Sequence, residues 1–208
     1  MRYFAYTAVI LVFMTGPALF ADSKDFNYKP MHQKIHYKEE FYSLYNEWLY
    51  SDPDSISRNI YFLEMASVVP FDHPIKALTP ITNETQYERY KNLLMMHICS
   101  LLTKGYIDYG YLYMKEHIYF FNAEYKKEYL DGYDIAEYYF HHARNYWDKT
   151  VGYANSAGNI KGVKTDMLYI EDELFRIQSG DLDYYKIVDN LMGRISNNRT
   201  ILANISNQ

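Results

Sequence analysis

The apolar residues of this chain recur at spacings of three and four, which is typical of amphipathic helices. In the first such segment, at 38–50, the apolar residues are Phe41, Leu44, Tyr45, Trp48 and Leu49. Further helices are predicted at about 55–69, 84–122, 134–154, 163–179 and 183–196. No window alternates strictly enough for a strand. The pattern predicts an all-α chain of antiparallel helical hairpins, arranged as a bundle or a short solenoid.

The breaks between these helices have recognisable signals. Residues 70–82 contain three prolines and predict an ordered connector. The pair Asp131-Gly132 predicts a turn, and Asn155–Gly162 predicts a glycine-bearing linker. Gly180 is expected to end one helix in the left-handed conformation. Asn83 and Asp183 are predicted to cap the helices that follow them.

The N-terminal 21 residues predict an export signal. Arg2 precedes an apolar run, Pro17 breaks it, and cleavage is expected after Ala21. The alternative is an uncleaved anchor, since the run approaches the roughly 20 residues that span a bilayer. We favour cleavage because of the proline and the single basic flank. The predicted organisation is a signal peptide at 1–21, a polar arm at 22–37, a helical domain at 38–196 and a polar tail at 197–208.

Charge and cysteine content exclude several classes of protein. The chain has 21 Lys and Arg against 26 Asp and Glu, so its net charge of −5 makes nucleic acid a poor default partner. A single cysteine excludes a disulfide framework and a multi-cysteine metal site. Cys99 lies in an apolar stretch, which predicts a buried structural thiol.

Some histidines occur at spacings that could present ligands to a metal. His32 and His36 are four residues apart, and Glu137 and His141 share a helix face. The first pair lacks the glutamate of the HExxH pattern, so we interpret it as incidental surface histidines. The second pair is expected to be packed and hydrogen-bonded. His97, in an apolar context, is interpreted as a core or interface histidine.

Enzyme signatures are not evident in the sequence. The acidic run at 171–173 points to different sides of a helix, so we expect a solvated acidic face there and not an acid–base pair. Neither a GxSxG motif nor a glycine-rich phosphate loop occurs. We therefore expect no catalytic, cofactor-binding or metal-ligating residues and a protein that is not an enzyme. A metal-dependent enzyme ranks third among the possible functions.

The 25 tyrosines are the unusual feature of the composition. Most are expected in the core, with the ring buried and the hydroxyl reaching water. Tyrosine also suits interface anchors, which collect on the concave surfaces of helical repeats. The candidate partner-binding residues are Tyr106, Tyr109, Tyr113, Tyr139, Tyr146 and Trp147. Such a groove would bind peptide or protein, with carbohydrate stacking as a lesser alternative.

Residues 87–154 resemble degenerate tetratricopeptide-type hairpins, through the segments KGYIDYGYLY and IAEYYFHHARNYW. More narrowly, three runs resemble an exported helical-repeat family of spirochaetes: PFDHPIKALTPITNETQYERYKNLLMMH, YFFNAEYKKEYLDGYDIAEYYFHHARNYWDK and IEDELFRIQSGDLDY. That group includes proteins of the periplasmic flagellar motor collar. The resemblance implies a periplasmic location and supplies no catalytic residues.

Two functions follow as expectations. The first, implied by the resemblance, is a non-enzymatic periplasmic scaffold that binds other periplasmic proteins, including those of the flagellar motor collar. It would contact the membrane only through its leader or its partners. The alternative is a periplasmic small-ligand-binding helper associated with a transporter, which would hold an apolar or aromatic molecule between helices.

Overall fold

The computed structural model describes residues 34–52 and 54–205, and within these ranges the regular structure is entirely helical. The helices are α1 (Lys38–Ser51), α2 (Ile56–Val68), α3 (Glu84–Tyr111), α4 (Lys126–Asn159), α5 (Leu168–Ser179) and α6 (Tyr184–Asn204), with short 3-10 helices at Pro74–Lys76 and Phe120–Tyr125. The predicted all-α fold is confirmed. The predicted signal peptide at 1–21 lies outside the described residues, as does most of the predicted arm.

The long central helices pack antiparallel to their neighbours. Gly105, near the end of α3, lies against Ile60, near the start of α2. The most extensive interface joins α3 and α4. There, Arg89 near the start of α3 donates a hydrogen bond to the carbonyl oxygen of Ala157 near the end of α4. This pairing places the apolar faces of α2, α3 and α4 in one core.

The last two helices rest on the α3–α4 pair. Helix α5 packs against both α3 and α4, and α6 packs against α4. Arg199, near the end of α6, bonds to Asp134 near the start of α4 at 2.7 Å, so α6 and α4 are antiparallel. Thus α1 pairs with α2, and α3 pairs with α4. In contrast, α5 and α6 make their main contacts with the α3–α4 pair.

Two helix breaks that we predicted at glycines are not present, because both segments belong wholly or mostly to α4. The turn at Asp131-Gly132 and most of the linker at 155–162 are helical. Glycine costs about 1 kcal/mol in a helix interior, which tertiary packing can outweigh. A Cβ at Gly132 would lie 2.8 Å from the carbonyl oxygen of Tyr113, and one at Gly158 would meet the Gln178 side chain. These glycines permit close approach and do not end the helix.

Helix α6 continues to Asn204, into the segment that we assigned to a polar tail at 197–208. Leu202 is fully buried. Asn198 is also buried, and its Nδ2 donates to the carbonyl oxygen of Lys115 at 2.9 Å. These two residues, one turn apart, hold the end of α6 against the rest of the protein.

The predicted caps at Asn83 and Asp183 and the predicted helix end at Gly180 are confirmed. The Asn83 side chain accepts a hydrogen bond from the amide of Gln86, and the Asp183 side chain accepts one from that of Tyr185. Gly180 has φ of +80° and ends α5. In contrast, α3 ends at Tyr111, well before the predicted position near 122.

Two charged residues at the start of α1 are buried. Lys38 and Glu39 are 3% and 4% exposed. The Lys38 ammonium donates to the carbonyl oxygen of Ala66 in the last turn of α2, and burial lowers its pKa to about 8. Glu39 accepts from the Tyr90 hydroxyl at 2.9 Å and from the amide of Asp72 at 3.0 Å. These contacts join α1 to the end of α2, to α3 and to the proline-rich connector.

The predicted burial of Cys99 is confirmed. The residue is 1% exposed, and burial raises its thiol pKa to about 12. Within the described ranges, none of the helices combines the length and apolarity that a bilayer crossing requires.

Candidate functional site: a tyrosine ladder between two long helices

Tyrosine rings from α3, from the turn just after it and from α4 form a continuous row where these helices pack together. Tyr146 stacks on Tyr106 with ring centroids 5.6 Å apart and planes inclined by 12°. Tyr139 lies 6.1 Å from Tyr106 and 6.0 Å from Tyr113. We name these four residues the tyrosine ladder. Tyr106 in α3 and Tyr113 in the turn just after it are seven residues apart, as are Tyr139 and Tyr146 in α4, and rings from the two segments alternate.

The inner end of the ladder contacts a buried carboxyl group on α2. Glu64 is 6% exposed. Its Oε1 accepts hydrogen bonds from the Tyr106 hydroxyl and, at 3.4 Å, from the Tyr146 hydroxyl. Burial raises the pKa of both tyrosines, and the nearby Glu64 carboxyl raises it further. Glu64 is not among the residues predicted from the sequence, although its position four residues after Ile60 places it on the apolar face of α2.

The outer end of the ladder reaches the surface. Around the buried ring of Tyr139, Tyr109 lies at 4.7 Å and Tyr138 at 5.2 Å. Tyr113 is 38% exposed and Tyr138 is 46% exposed, while Tyr109 is half-buried. The His142 ring packs 4.5 Å from Tyr138. We name Tyr109, Tyr113 and Tyr138 the tyrosine face.

The six candidate partner-binding residues are therefore not all on one surface. Four are less than a tenth exposed: Tyr106, Tyr139, Tyr146 and Trp147. Trp147 faces α6, where its ring lies 5.0 Å from Tyr184. Of the candidates, Tyr109 and Tyr113 present ring surface to solvent. Tyr138 is not among the six candidates, but its ring packs against Tyr139, as do the rings of Tyr109 and Tyr113.

An arginine joins the start of α3 to α4 and α5. Arg89 donates through Nε and Nη2 to the carboxylate of Glu171 at 3.1 and 2.5 Å, a bidentate geometry. Its Nη1 donates to the carbonyl oxygens of Ala157 and Ile160. Burial opposes ionisation of Glu171, but hydrogen bonds from Arg89 and Thr165 outweigh it and hold the pKa below its usual value.

A second polar contact joins α3 to α5. Glu173 accepts from Ser100 Oγ at 2.6 Å and lies 2.6 Å from His97 Nδ1. The rings of Tyr42 and Tyr169 pack edge-on to His97 at 5.7 and 5.4 Å. His97 is thus an interface histidine. The expected solvated acidic face at 171–173 is wrong for Glu171 and Glu173. Both carboxylates contact side chains of α3, which the helical pattern of α5 does not reveal.

Of the other two histidine pairs, the first is described only in part. His32 lies outside the described residues, and the backbone amide of His36 donates to Glu40 in the first turn of α1. Glu137 accepts from Arg199 at 2.8 Å, while His141 is exposed. Over residues 34–52 and 54–205, no three His, Cys, Asp or Glu side chains converge as a metal centre would require.

Fold and site together define an all-α domain whose two longest helices carry a partly exposed tyrosine surface. Residues 85–205, more than half of the chain, match the family described as Domain of unknown function (DUF8513), and the chain belongs to that family. The match runs from the start of α3 to the end of α6, so it includes the whole tyrosine face. Neither the curated proteins nor the solved structures contain a match.

Proposed function

We propose that this protein is a non-enzymatic protein-interaction module that binds a positively charged segment of a partner protein on its tyrosine face. The observation that carries the proposal is the packing of the exposed rings of Tyr113 and Tyr138 and the half-buried ring of Tyr109 around buried Tyr139. Rings already held by packing lose little conformational entropy on binding, which makes them effective anchors.

The proposed positive charge of the partner rests on the chemistry of the rings and of the whole chain. The faces of tyrosine rings attract ammonium and guanidinium groups. The chain already uses such contacts internally, with Lys149 lying 4.5 Å from the Tyr146 ring and Lys91 lying 4.9 Å from Tyr87. Its net charge of −5 favours approach of a cationic partner.

Site-specific photocrosslinking tests the docking proposal. A photoreactive phenylalanine replaces Tyr113 or Tyr138, and in a matched control it replaces Phe175, an aromatic residue on α5 that is 66% exposed. We expect crosslinks to one partner from positions 113 and 138, and weaker crosslinking at raised salt because charge attraction is screened. Equal crosslinking of the same partner from position 175 would contradict the proposed face.

The location and biological role are proposed from the sequence. The export signal and the spirochaete resemblance support a periplasmic scaffold that binds other periplasmic proteins, at the flagellar motor collar. Electron tomography of cells with and without the gene tests this role, and we expect missing collar density in the deletion strain. Normal motors and normal motility in that strain would contradict the motor role and leave the docking proposal standing.

A further inference from the structure

A pocket between α1, α2 and α3 uses none of the residues of the tyrosine face. It has a volume of about 210 Å³. An engineered protein cavity of roughly 150 Å³ is sufficient to bind benzene. The pocket therefore has room for one six-membered ring with a short side chain.

The walls of this pocket are apolar. They are formed by side chains of all three helices: Leu49, Ile56, Ile60, Leu63 and Leu101. Gly105 of α3 also lines the pocket, and a Cβ there would lie 3.1 Å from Cγ1 of Ile60. The glycine thus lets α2 and α3 approach each other beside the pocket. Walls of this composition favour an apolar body.

One polar side chain in the pocket has an unsatisfied acceptor. Asn59 lines the pocket and is 7% exposed. Its Oδ1 is shielded from solvent and has no hydrogen-bond partner within the described part of the chain. A buried acceptor in this state has lost its hydrogen bonds to water without replacement, which destabilises the folded protein. A ligand that donates a hydrogen bond to Asn59 would recover that cost.

Asp108 and Tyr45 also line the pocket, and Asp108 is exposed. Partial burial raises the pKa of Asp108, and the nearby Lys104 ammonium opposes this shift without cancelling it. Burial, together with the charge of Asp108, raises the pKa of Tyr45 to about 12. The pocket is thus lined by one carboxylate, Asp108, and one ammonium, Lys104, together with the unsatisfied Asn59 acceptor. A ligand ammonium between Asp108 and Asn59 would meet two acceptors.

We propose that this pocket binds a primary ammonium group carried on a small apolar body, as in an arylalkylamine or a hydrophobic amino acid. The ammonium has three donors, of which one reaches Asp108 and another reaches Asn59. The apolar body lies among the leucine and isoleucine side chains. In an amino acid, the carboxylate would lie on the side of Lys104. This proposal takes up the small-ligand alternative and does not depend on the tyrosine face.

Titration calorimetry of the purified protein with phenethylamine and with phenylalanine tests the proposal. We expect saturable binding of at least one compound, and about tenfold or greater weakening in Asp108→Asn, because a hydrogen bond to a charged group is lost. The matched control is Asp131→Asn on α4, since Asp131 also lies four residues after a lysine, Lys127, and is exposed. The control should bind like the unchanged protein.

Two further variants separate ligand binding from a structural role. Asn59→Leu is expected to weaken binding while it leaves the melting temperature unchanged or raises it, because it removes a buried acceptor that has no partner. A lower melting temperature with unchanged affinity would show that Asn59 is structural and overturn its proposed role. Lys104→Met distinguishes the two ligands, because it should weaken the binding of phenylalanine and leave the binding of phenethylamine unchanged.

The proposal is overturned if neither compound binds saturably at millimolar concentration, or if Asp108→Asn binds as tightly as the unchanged protein. Circular dichroism of each variant verifies that the helical fold is retained. The result is independent of the crosslinking experiment, since none of the substituted pocket residues belongs to the tyrosine face.

Discussion

The close contact between α3 and α4 depends on Gly110, and its replacement by alanine is a quantitative test of the fold. A Cβ at this position would lie 2.7 Å from Cε1 of Phe140 and 3.2 Å from the carbonyl oxygen of Ala136. Phe140 is fully buried, so its ring has no free space to enter. The new methyl group therefore requires α3 and α4 to move apart.

The expected magnitude is the balance of two effects. Alanine in place of glycine favours a helix by about 1 kcal/mol. Overpacking of a close-packed interface costs about 1–3 kcal/mol, and more where the backbone must move. We expect Gly110→Ala to lower the free energy of unfolding by about 1–2 kcal/mol. Gly193→Ala in α6 is the matched control, because a Cβ there would meet nothing within 4 Å.

Urea denaturation followed by far-ultraviolet circular dichroism measures both variants. The control should gain about 1 kcal/mol from helix propensity alone. The two variants should thus differ by about 2–3 kcal/mol in opposite directions. Equal stabilisation of both would refute the close α3–α4 packing and, with it, the geometry of the tyrosine ladder.

Three further predictions concern the buried polar contacts. Because the pKa of Lys38 falls from 10.5 in the unfolded chain to about 8 on folding, the unfolded state binds more protons at this residue between these values. The free energy of unfolding of the unchanged protein should therefore rise by about 2 kcal/mol relative to that of Lys38→Met from pH 8 to 10, since the buried Cys99 and tyrosines affect both proteins alike. Tyr106→Phe removes a hydrogen bond to buried Glu64 and should cost about 1–3 kcal/mol in urea denaturation, so a neutral effect would contradict that contact. Arg89→Met leaves the partly buried Glu171 without its bidentate partner and should cost about 1.5–3 kcal/mol; a loss below about 0.5 kcal/mol would contradict this contact.

Helix positions were predictable wherever local chemistry decides them. The caps at Asn83 and Asp183 and the stop at Gly180 involve residues within a few positions of one another. The helix breaks predicted at the glycines inside α4 were wrong, because glycine can either end a helix, as Gly180 does, or permit close packing within one, as Gly132 does. At Gly132 the deciding neighbour is the carbonyl oxygen of Tyr113, which no local pattern reveals.

The candidate site was only partly predictable. The high tyrosine content and the helical spacing pointed to α3 and α4, and Tyr109 and Tyr113 do lie at the surface end of the ladder. The sequence did not indicate that Tyr106 would turn inward. Its hydroxyl partner, Glu64, is 42 residues away on α2, so the choice between core and surface depended on how three helices meet.

Amphipathic periodicity and capping residues are local properties, and they were sufficient to specify an all-α chain and most of its helix starts. Long-range packing decided which rings stay exposed and which carboxylates find cationic partners. Glu171, for example, meets an arginine 82 residues earlier in the chain. The physical reason is that burial and charge pairing depend on distances in space, and a helical pattern sets those distances only within a few turns of the same helix.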